Sequence, residues 1–287
     1  MEPSHSAYII EAQRLQREYA SQIHILIGFE AEFIRPSYKT PVLKLANPAG
    51  IDYFIGSLHH VHSIPIDYNA DMYQKAVAAS GGTEEKLYEA YYDLQHQMLV
   101  DLRPVVVGHF DLVRLMSEEP ERDIRKWSGV WERVRRNLMV VLEQGGWLEC
   151  NSAGLRKGLE EPYPCKIIAE VRLRNIPRHC SWHSLWEDKQ CSSTALALLL
   201  SPSENAEADL RQEWLSMGGK FTLSDDSHGI EQVATNYSRT IAYLQSLGVQ
   251  QVWTLRRKAQ PRSDSSSKAE LEEVGIQLEE IRQQFKE

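Results

Sequence analysis

Phe221-Thr222-Leu223-Ser224-Asp225-Asp226-Ser227-His228-Gly229 reads as a short strand that delivers two carboxylates and an imidazole to one small volume at its carboxyl end. A strand turns alternate side chains to the same side, so the pattern aims Asp226 and His228 together and Ser227 away. Oxygen and nitrogen donors of this kind suit Zn²⁺, Mn²⁺ or Fe²⁺ better than Ca²⁺ or a thiolate-seeking ion. The same nine residues also read as a polar turn with an Asp capping a following helix, and the stretches around them decide between the two readings.

Upstream, the amphipathic spacing of Ala7 to Ser21 predicts a helix leading into the apolar run Ile23 to Phe29. Asp52 to Leu58 is a second apolar strand and ends at His59-His60. A helix over Glu84 to Leu102 is stopped by Pro104, and the strand Val105 to Val107 then ends in Gly108-His109-Phe110-Asp111. A helix over Trp127 to Glu143 closes at Gly145-Gly146, and Trp147 to Cys150 is a strand that delivers Glu149 and Asn151. Arg211 to Met217 reads as a helix before the Phe221 strand, and Asn236 to Leu247 as a helix before the strand Val249 to Leu255. Polar residues thus recur at the carboxyl ends of strands separated by helices, the arrangement that gathers an active site on one rim of an α/β barrel.

Residues 1–257 read as one domain, interrupted at 165–205 by an aperiodic insert that suits a lid, a disordered insertion or a misread coding segment. His179 and His183 lie four apart within it, but no carboxylate stands in register with them. Lys258 to Lys268 reads as a solvated linker and Ala269 to Phe285 as a charged helix, so that 258–287 carries no chemistry. The net charge of −8 lacks the basic footprint of a nucleic-acid binder. Cys150, Cys165, Cys180 and Cys191 form no C-x-x-C pair, which suits a reducing, cytoplasmic compartment, and the longest apolar run, Ala195 to Leu200, is too short to span a bilayer.

Gly28-Phe29-Glu30, Gly56-Ser57-Leu58-His59, Gly108-His109-Phe110-Asp111, the run Glu149 to Lys157 (ECNSAGLRK) and Ser224 to His228, in this order, resemble the PHP (polymerase and histidinol phosphatase) family. The wording is most similar to its histidinol-phosphatase branch, over Ile23 to Pro164 and again over Trp214 to Leu255. The resemblance implies a distorted β/α barrel carrying a cluster of up to three divalent metals, zinc, manganese or iron. It implies a hydrolase acting on a small phosphomonoester, L-histidinol phosphate, in histidine biosynthesis, with no nucleic acid or membrane as partner. By motif position Glu30 is a bridging carboxylate, His59 and His109 complete a second metal site, Asp226 serves the first and His228 the third. A bridging carboxylate lets two dications sit close together, lower the pKa of a shared water and polarise the phosphoryl group that it attacks in line.

For the phosphate the resemblance points to Arg156 and Lys157, since a guanidinium pairs with phosphate oxygens bidentately, although a Lys/Arg pair after a turn is also ordinary surface. Asn151 and Ser152 are candidate hydrogen-bond donors to the substrate, and His60 and His62 candidate walls of its imidazole or amine pocket. Glu30, Asp226 and Arg156 form the expected catalytic set. Glu32 shares a strand face with Glu30 but stands further along, so it is expected behind the metal ligands or exposed; Asp111 orients His109 or caps a helix, and Asp225 has no evident role.

The family pattern opens with a strand bearing H-x-H, and no such strand precedes Glu30; His5 stands alone. The expectation is a barrel incomplete at its amino-terminal side, with strand edges uncovered beside the site and fewer than three ions. The alternative to an active phosphatase is then a catalytically impaired remnant that binds at most metal or a partner. A nuclease-like relative is disfavoured by the acidic charge.

Overall fold

The computed structural model describes residues 2–48, 50–170, 219–258 and 269–285. The helix expected over Arg211 to Met217, the His179/His183 pair, most of the insert and the linker at 259–268 lie outside the described residues. In chain order the elements are α1 (Glu2–Glu18), β1 (Gly28–Glu32), α2 (Lys39–Ala46), β2 (Tyr53–Ser57), β3 (His60–Val61), β4 (Ile64–Pro65), α3 (Ala70–Ala79), α4 (Glu84–Leu102), β5 (Val106–Val107) and α5 (Ser128–Glu143). There follow β6 (Trp147–Asn151), α6 (Ala153–Arg156), α7 (Lys166–Ala169), β7 (Lys220–Ser224), α8 (Tyr237–Ser246), β8 (Gln251–Arg257), β9 (Leu271–Gln277) and α9 (Leu278–Gln284).

The longest helix shows how local sequence sets the boundaries. Thr83 Oγ1 accepts the Lys86 N–H at 3.3 Å and Glu84 and Glu85 occupy the first turn, where the exposed N–H groups favour negative charge. α4 ends where Arg103 takes a left-handed φ of 49° and Pro104 forbids another turn. Its Leu87, Tyr91, Met98 and Leu102 then fall on one buried stripe.

Five strands form a wholly parallel sheet in the order β1-β2-β5-β6-β7. Strand alternation divides its side chains between two faces. Val107, Leu148, Cys150 and Phe221 join Tyr91, Tyr92 and Met98 of α4 and Val134 and Leu138 of α5 in the main core. Each large apolar side chain so buried stabilises the fold by about 1.5–3 kcal/mol. Val106 and Trp147 face the other way, against Leu255 of β8. Because the strands are parallel, the residues after β2, β5, β6 and β7 all emerge on one rim, and this places the site.

The carboxyl-terminal segment differs from its expected helix. Leu271–Gln277 is a strand paired antiparallel to β8, and only Leu278–Gln284 is helical. Tertiary contacts override the helical propensity of its Glu and Leu residues. Glu273 accepts from Trp147 Nε1 at 3.1 Å and pairs with Lys220, whose ammonium lies 4.5 Å from the Trp253 ring centre. At the far end of β8, Arg257 grips the Asp52 carboxylate through two N–H groups, both at 2.8 Å. Through Leu255, Trp253 and Leu271 the β8-β9 ribbon packs against the face opposite the main core, while Val252 of β8 joins the main core. A cavity of about 130 Å³ remains beside it, lined by Ile55, Val106, Trp147, Glu149, Thr222 and Leu255.

β1 also begins later than expected, at Gly28 rather than Ile23. Ile27 exchanges both of its backbone groups with Asp52, its N–H going to the carboxylate and its carbonyl taking the Asp52 N–H, each at 2.7 Å, so the ladder with β2 opens only beyond it. The shift places Glu30 and Glu32 inside the strand and on one face. His5 belongs to α1, where Nε2 meets the Leu45 carbonyl at 3.1 Å and the ring packs on Phe29.

Candidate metal centre

Glu30 projects from β1, and His59 and His109 follow the ends of β2 and β5 by two residues each. Their ligand-type atoms lie within 4.8 Å of one another. His109 Nε2 is 2.9 Å and His59 Nε2 3.8 Å from the same Glu30 oxygen, Oε1, and the two imidazole rings stand edge to face at 4.6 Å. Adjacent parallel strands carrying one donor each at the rim are what bring residues 30, 59 and 109 together.

His109 is held from behind by buried polar contacts. Its backbone N–H donates to Glu149 Oε2 at 2.8 Å, and the next carbonyl, Phe110, accepts from Gln95 Nε2 at 2.8 Å and from the Tyr91 hydroxyl at 3.3 Å. Gly108 makes this possible. A Cβ there would stand 2.2 Å from Ser57 Oγ and 3.4 Å from the Glu149 carboxylate. Burial alone would lower the His109 imidazole, but the hydrogen bond and charge of Glu30, aided by the charges of Glu149 and Asp226, raise it from 6.5 to about 9. Burial conversely pushes the Glu30 carboxyl up, and the hydrogen bond and charge of His109 with the charge of His59 outweigh this and hold it at about 2. The two shifts describe one contact, and both favour the carboxylate–imidazolium form of the metal-free pair.

Glu32 takes the other side of His59. Its carboxylate bonds the His59 Nδ1, accepts the His59 backbone N–H at 3.2 Å and lies 3.2 Å from His60 Nδ1. His60 thus faces a protein carboxylate, and His62 turns through a left-handed φ of 53° in the loop between β3 and β4.

The β7 exit departs from the expected alternation. The strand stops at Ser224 and Asp226 has φ 49°, so strand alternation ends before it, yet the Asp226 and His228 side chains still come together, with His228 Nδ1 3.8 Å from Asp226 Oδ1. The His228 side chain is 74 % exposed, with Nδ1 on the carbonyl of Asp226 at 2.9 Å. Asp226 and His228 therefore do not join the cluster of Glu30, His59 and His109. Asp226 approaches its charge field and lies 3.8 Å from Lys157 Nζ. Asp225 proves to be the closure of this loop, binding the N–H and hydroxyl of Ser227 and the N–H of Ala234.

The expected phosphate contacts divide in the same way. Arg156 donates to the carbonyls of Asp225 at 2.7 Å and Asp226 at 2.9 Å. Asn151 is buried, giving its amide to Glu149 at 3.1 Å and taking the Ala153 N–H at 2.8 Å, and Ser152 donates to the Thr235 carbonyl at 2.7 Å. Each of these two polar side chains has a protein partner, and together they tie α6 and the β7 loop in place. Lys157 remains partly exposed. Asp111 binds the buried Arg114 at 2.9 Å and the Cys165 N–H at 2.9 Å, both through Oδ2, and its Oδ1 has no hydrogen-bond partner among the described residues. Arg114 also reaches the Glu161 and Pro162 carbonyls, and its guanidinium lies 5.3 Å from the Tyr163 ring, itself packed edge-on to His109.

The carboxylate and two imidazoles fit a borderline divalent ion such as Zn²⁺, Mn²⁺ or Fe²⁺. His109 Nδ1 is buried without a partner among the described residues, and the opposite nitrogen meets Glu30. One imidazole edge is thereby committed to the site.

A family model described as PHP domain matches residues 4–153. The chain is 34 % identical over 243 residues to a probable histidinol-phosphatase of Schizosaccharomyces pombe, covering 84 % of this chain and 66 % of that protein. It is 27 % identical over 271 residues to the histidinol-phosphatase of Saccharomyces cerevisiae, covering 85 % and 68 %. It thus spans about two thirds of the length of these relatives. The fold matches the crystal structure of a histidinol phosphate phosphatase from Lactococcus lactis, complexed with zinc, L-histidinol and phosphate. The TM-score is 0.54 at 18 % identity, over 87 % of this chain and 76 % of that one.

Proposed function

The chain belongs to the PHP domain family, and from that premise we propose that it is a metal-dependent phosphomonoesterase hydrolysing L-histidinol phosphate to L-histidinol and phosphate. The observation that carries the proposal is the convergence of Glu30, His59 and His109 on one point of the rim, with Arg156 and Lys157 at the end of α6, which follows the neighbouring strand β6. The relatives' names and the L-histidinol and phosphate bound to the Lactococcus protein supply the substrate.

In this reading Glu30, His59 and His109 hold one divalent ion, zinc in first place, with manganese or iron accepted by the same donors. When bound, it supplies positive charge to the phosphoryl oxygens and activates a water. Glu30 remains anionic throughout the physiological range because its carboxyl titrates at about 2. Lys157 places an ammonium beside the phosphate, and the N–H groups of Arg156 not spent on Asp225 and Asp226 add to it. Asp226 contributes carboxylate charge from the β7 exit, and His60 borders the substrate's imidazole or amine. The acidic chain favours a small phosphomonoester over a nucleic acid, and the free thiols Cys150 and Cys165 suit the cytoplasm. No helix among the described residues is long and apolar enough to cross a membrane.

The test is phosphate release from L-histidinol phosphate by the purified chain with added Zn²⁺ or Mn²⁺, together with the metal content. We expect about one tight ion per chain and activity abolished by Glu30→Ala or Asp226→Ala. Folded, metal-loaded protein that releases no phosphate supports the second reading, a catalytically impaired metal-binding remnant. That reading is favoured by the outward-facing His228 and by the engagement of Arg156 with backbone carbonyls.

A further inference from the structure

We infer that Glu32 is the positioning residue of this centre, a single carboxylate that sets the ring orientation and tautomer of both His59 and His60. The inference rests on the metal reading above and adds the residue that prepares the site for an ion.

The geometry follows from the sheet. Glu32 pairs with Ser57 in the β1-β2 ladder, and His59 and His60 come two and three residues later. Glu30 and Glu32 lie on the same face of β1, one reaching the front of the cluster and the other the back of His59. The Glu32 side chain is only 28 % exposed. Oε2 bonds His59 Nδ1, while Oε1 meets both the His59 backbone N–H and His60 Nδ1 at 3.2 Å. An ionised carboxylate only accepts, so each neutral imidazole must present Nδ1–H to it and carry its lone pair on Nε2. For His59 that lone pair lies on the nitrogen 3.8 Å from Glu30 Oε1, inside the donor cluster. Fixing the far nitrogen of a ligand histidine with a carboxylate both selects the tautomer and raises the basicity of the near one.

The two ligand histidines are held by different means. His109 has no partner at Nδ1 among the described residues and depends on its buried backbone contacts to Glu149 and α4. Of the two ligand histidines Glu32 therefore holds His59, together with its neighbour His60. Two oxygens are needed for two ring N–H donors. Glutamine offers one acceptor and would force one ring to reverse its tautomer, whereas aspartate keeps both oxygens at shorter reach.

The experiment measures Zn²⁺ affinity by chelator competition for wild type, Glu32→Gln and Glu32→Asp, each checked for folding by circular dichroism. Imidazole nitrogen resonances of metal-free wild type are recorded at alkaline pH. The expected result is a 10–100-fold weaker Zn²⁺ affinity in Glu32→Gln, partly restored in Glu32→Asp, and His59 protonated on Nδ1 in the wild type. A folded Glu32→Gln within twofold of wild type overturns the inference, as does a wild-type His59 protonated on Nε2. The resonance measurement uses the unaltered chain and decides the matter even where glutamine prevents folding. A wild type that takes up no Zn²⁺ defeats the metal reading instead, leaving the resonances to judge Glu32 by themselves.

Discussion

Arg156 and Asp226 are joined through the backbone: Nη2 of Arg156 donates to the Asp226 carbonyl at 2.9 Å, and Nη1 donates to the preceding carbonyl, Asp225, at 2.7 Å. The planar fork spans two consecutive peptide units at the point where Asp226 takes its left-handed φ of 49°. A non-glycine residue in that region costs about 1–3 kcal/mol and persists only when its surroundings hold it there. Arg156 supplies part of that hold.

Replacement of Arg156 by lysine should therefore do more than weaken phosphate binding. An ammonium cannot reproduce the fork, and hydrogen bonds to a charged donor are worth about 1.5–3 kcal/mol each, so kcat/KM is expected to fall at least ~10-fold. The readout is a double-mutant cycle of Arg156→Lys with Asp226→Asn. Effects that fall well short of adding indicate that Arg156 works through the Asp226 loop, while additive effects with a raised KM alone mean that it serves only the substrate.

A second prediction concerns the Asp111–Arg114 pair. Both side chains are almost fully buried, and Arg114 also satisfies the Glu161 and Pro162 carbonyls. Arg114→Met strands a buried carboxylate and two carbonyls, with an expected loss of about 3–5 kcal/mol of stability, measured by urea unfolding. A loss below about 1 kcal/mol would mean that the segment after Phe110 rearranges freely around the change.

His59, His109 and Glu30 were legible because each stands at or within two residues of a strand end, where β/α topology leaves few directions to point. The neighbours that prepare them were harder to read. Strand alternation puts Glu32 on the face of Glu30, but its position behind two imidazoles depends on the β1-β2 register. Arg114 follows Phe110-Asp111-Leu112-Val113 and resembles a surface cation until Asp111, Glu161 and Pro162 surround it. Asp226 and His228 were legible as neighbours, but their place outside the Glu30 cluster was not, because the strand ends at Ser224 and the turn beyond it sets where they stand. The helix expected over Ala269 to Phe285 missed β9 for the opposite reason: its composition favours a helix, and only pairing with β8 and the contacts of Glu273 make it a strand.

The β8-β9 ribbon makes the tail structurally consequential. A chain ending at Lys258 loses the antiparallel partner of β8 and the Glu273 acceptor shared by Trp147 and Lys220, and it exposes Leu255. Such a chain is expected to melt several degrees lower and to show tryptophan emission shifted to longer wavelength, a shift that Trp147→Phe should diminish. Unchanged melting and emission would mean that the face opposite the main core is stable without the ribbon.

Protons and metal compete for the Glu30–His109 contact, and the direction of each shift fixes the pH dependence. His109 is raised from 6.5 to about 9, so its contribution to metal-free stability is complete below pH 6.5 and is lost as pH rises through 9. Glu30 is lowered from 4.5 to about 2, so its contribution is complete above pH 4.5 and is lost as pH falls through 2. As both express one ion pair, their joint contribution is greatest between pH 4.5 and 6.5 and declines on either side. A metal ion must displace the proton on His109, so apparent Zn²⁺ affinity is expected to rise ~10-fold per pH unit between neutrality and about 9. Chelator competition from pH 6.5 to 8.5 measures the slope, and Glu30→Gln, which withdraws the charge that retains the proton, should flatten it. An equal slope in both proteins would place the displaced proton elsewhere than on His109.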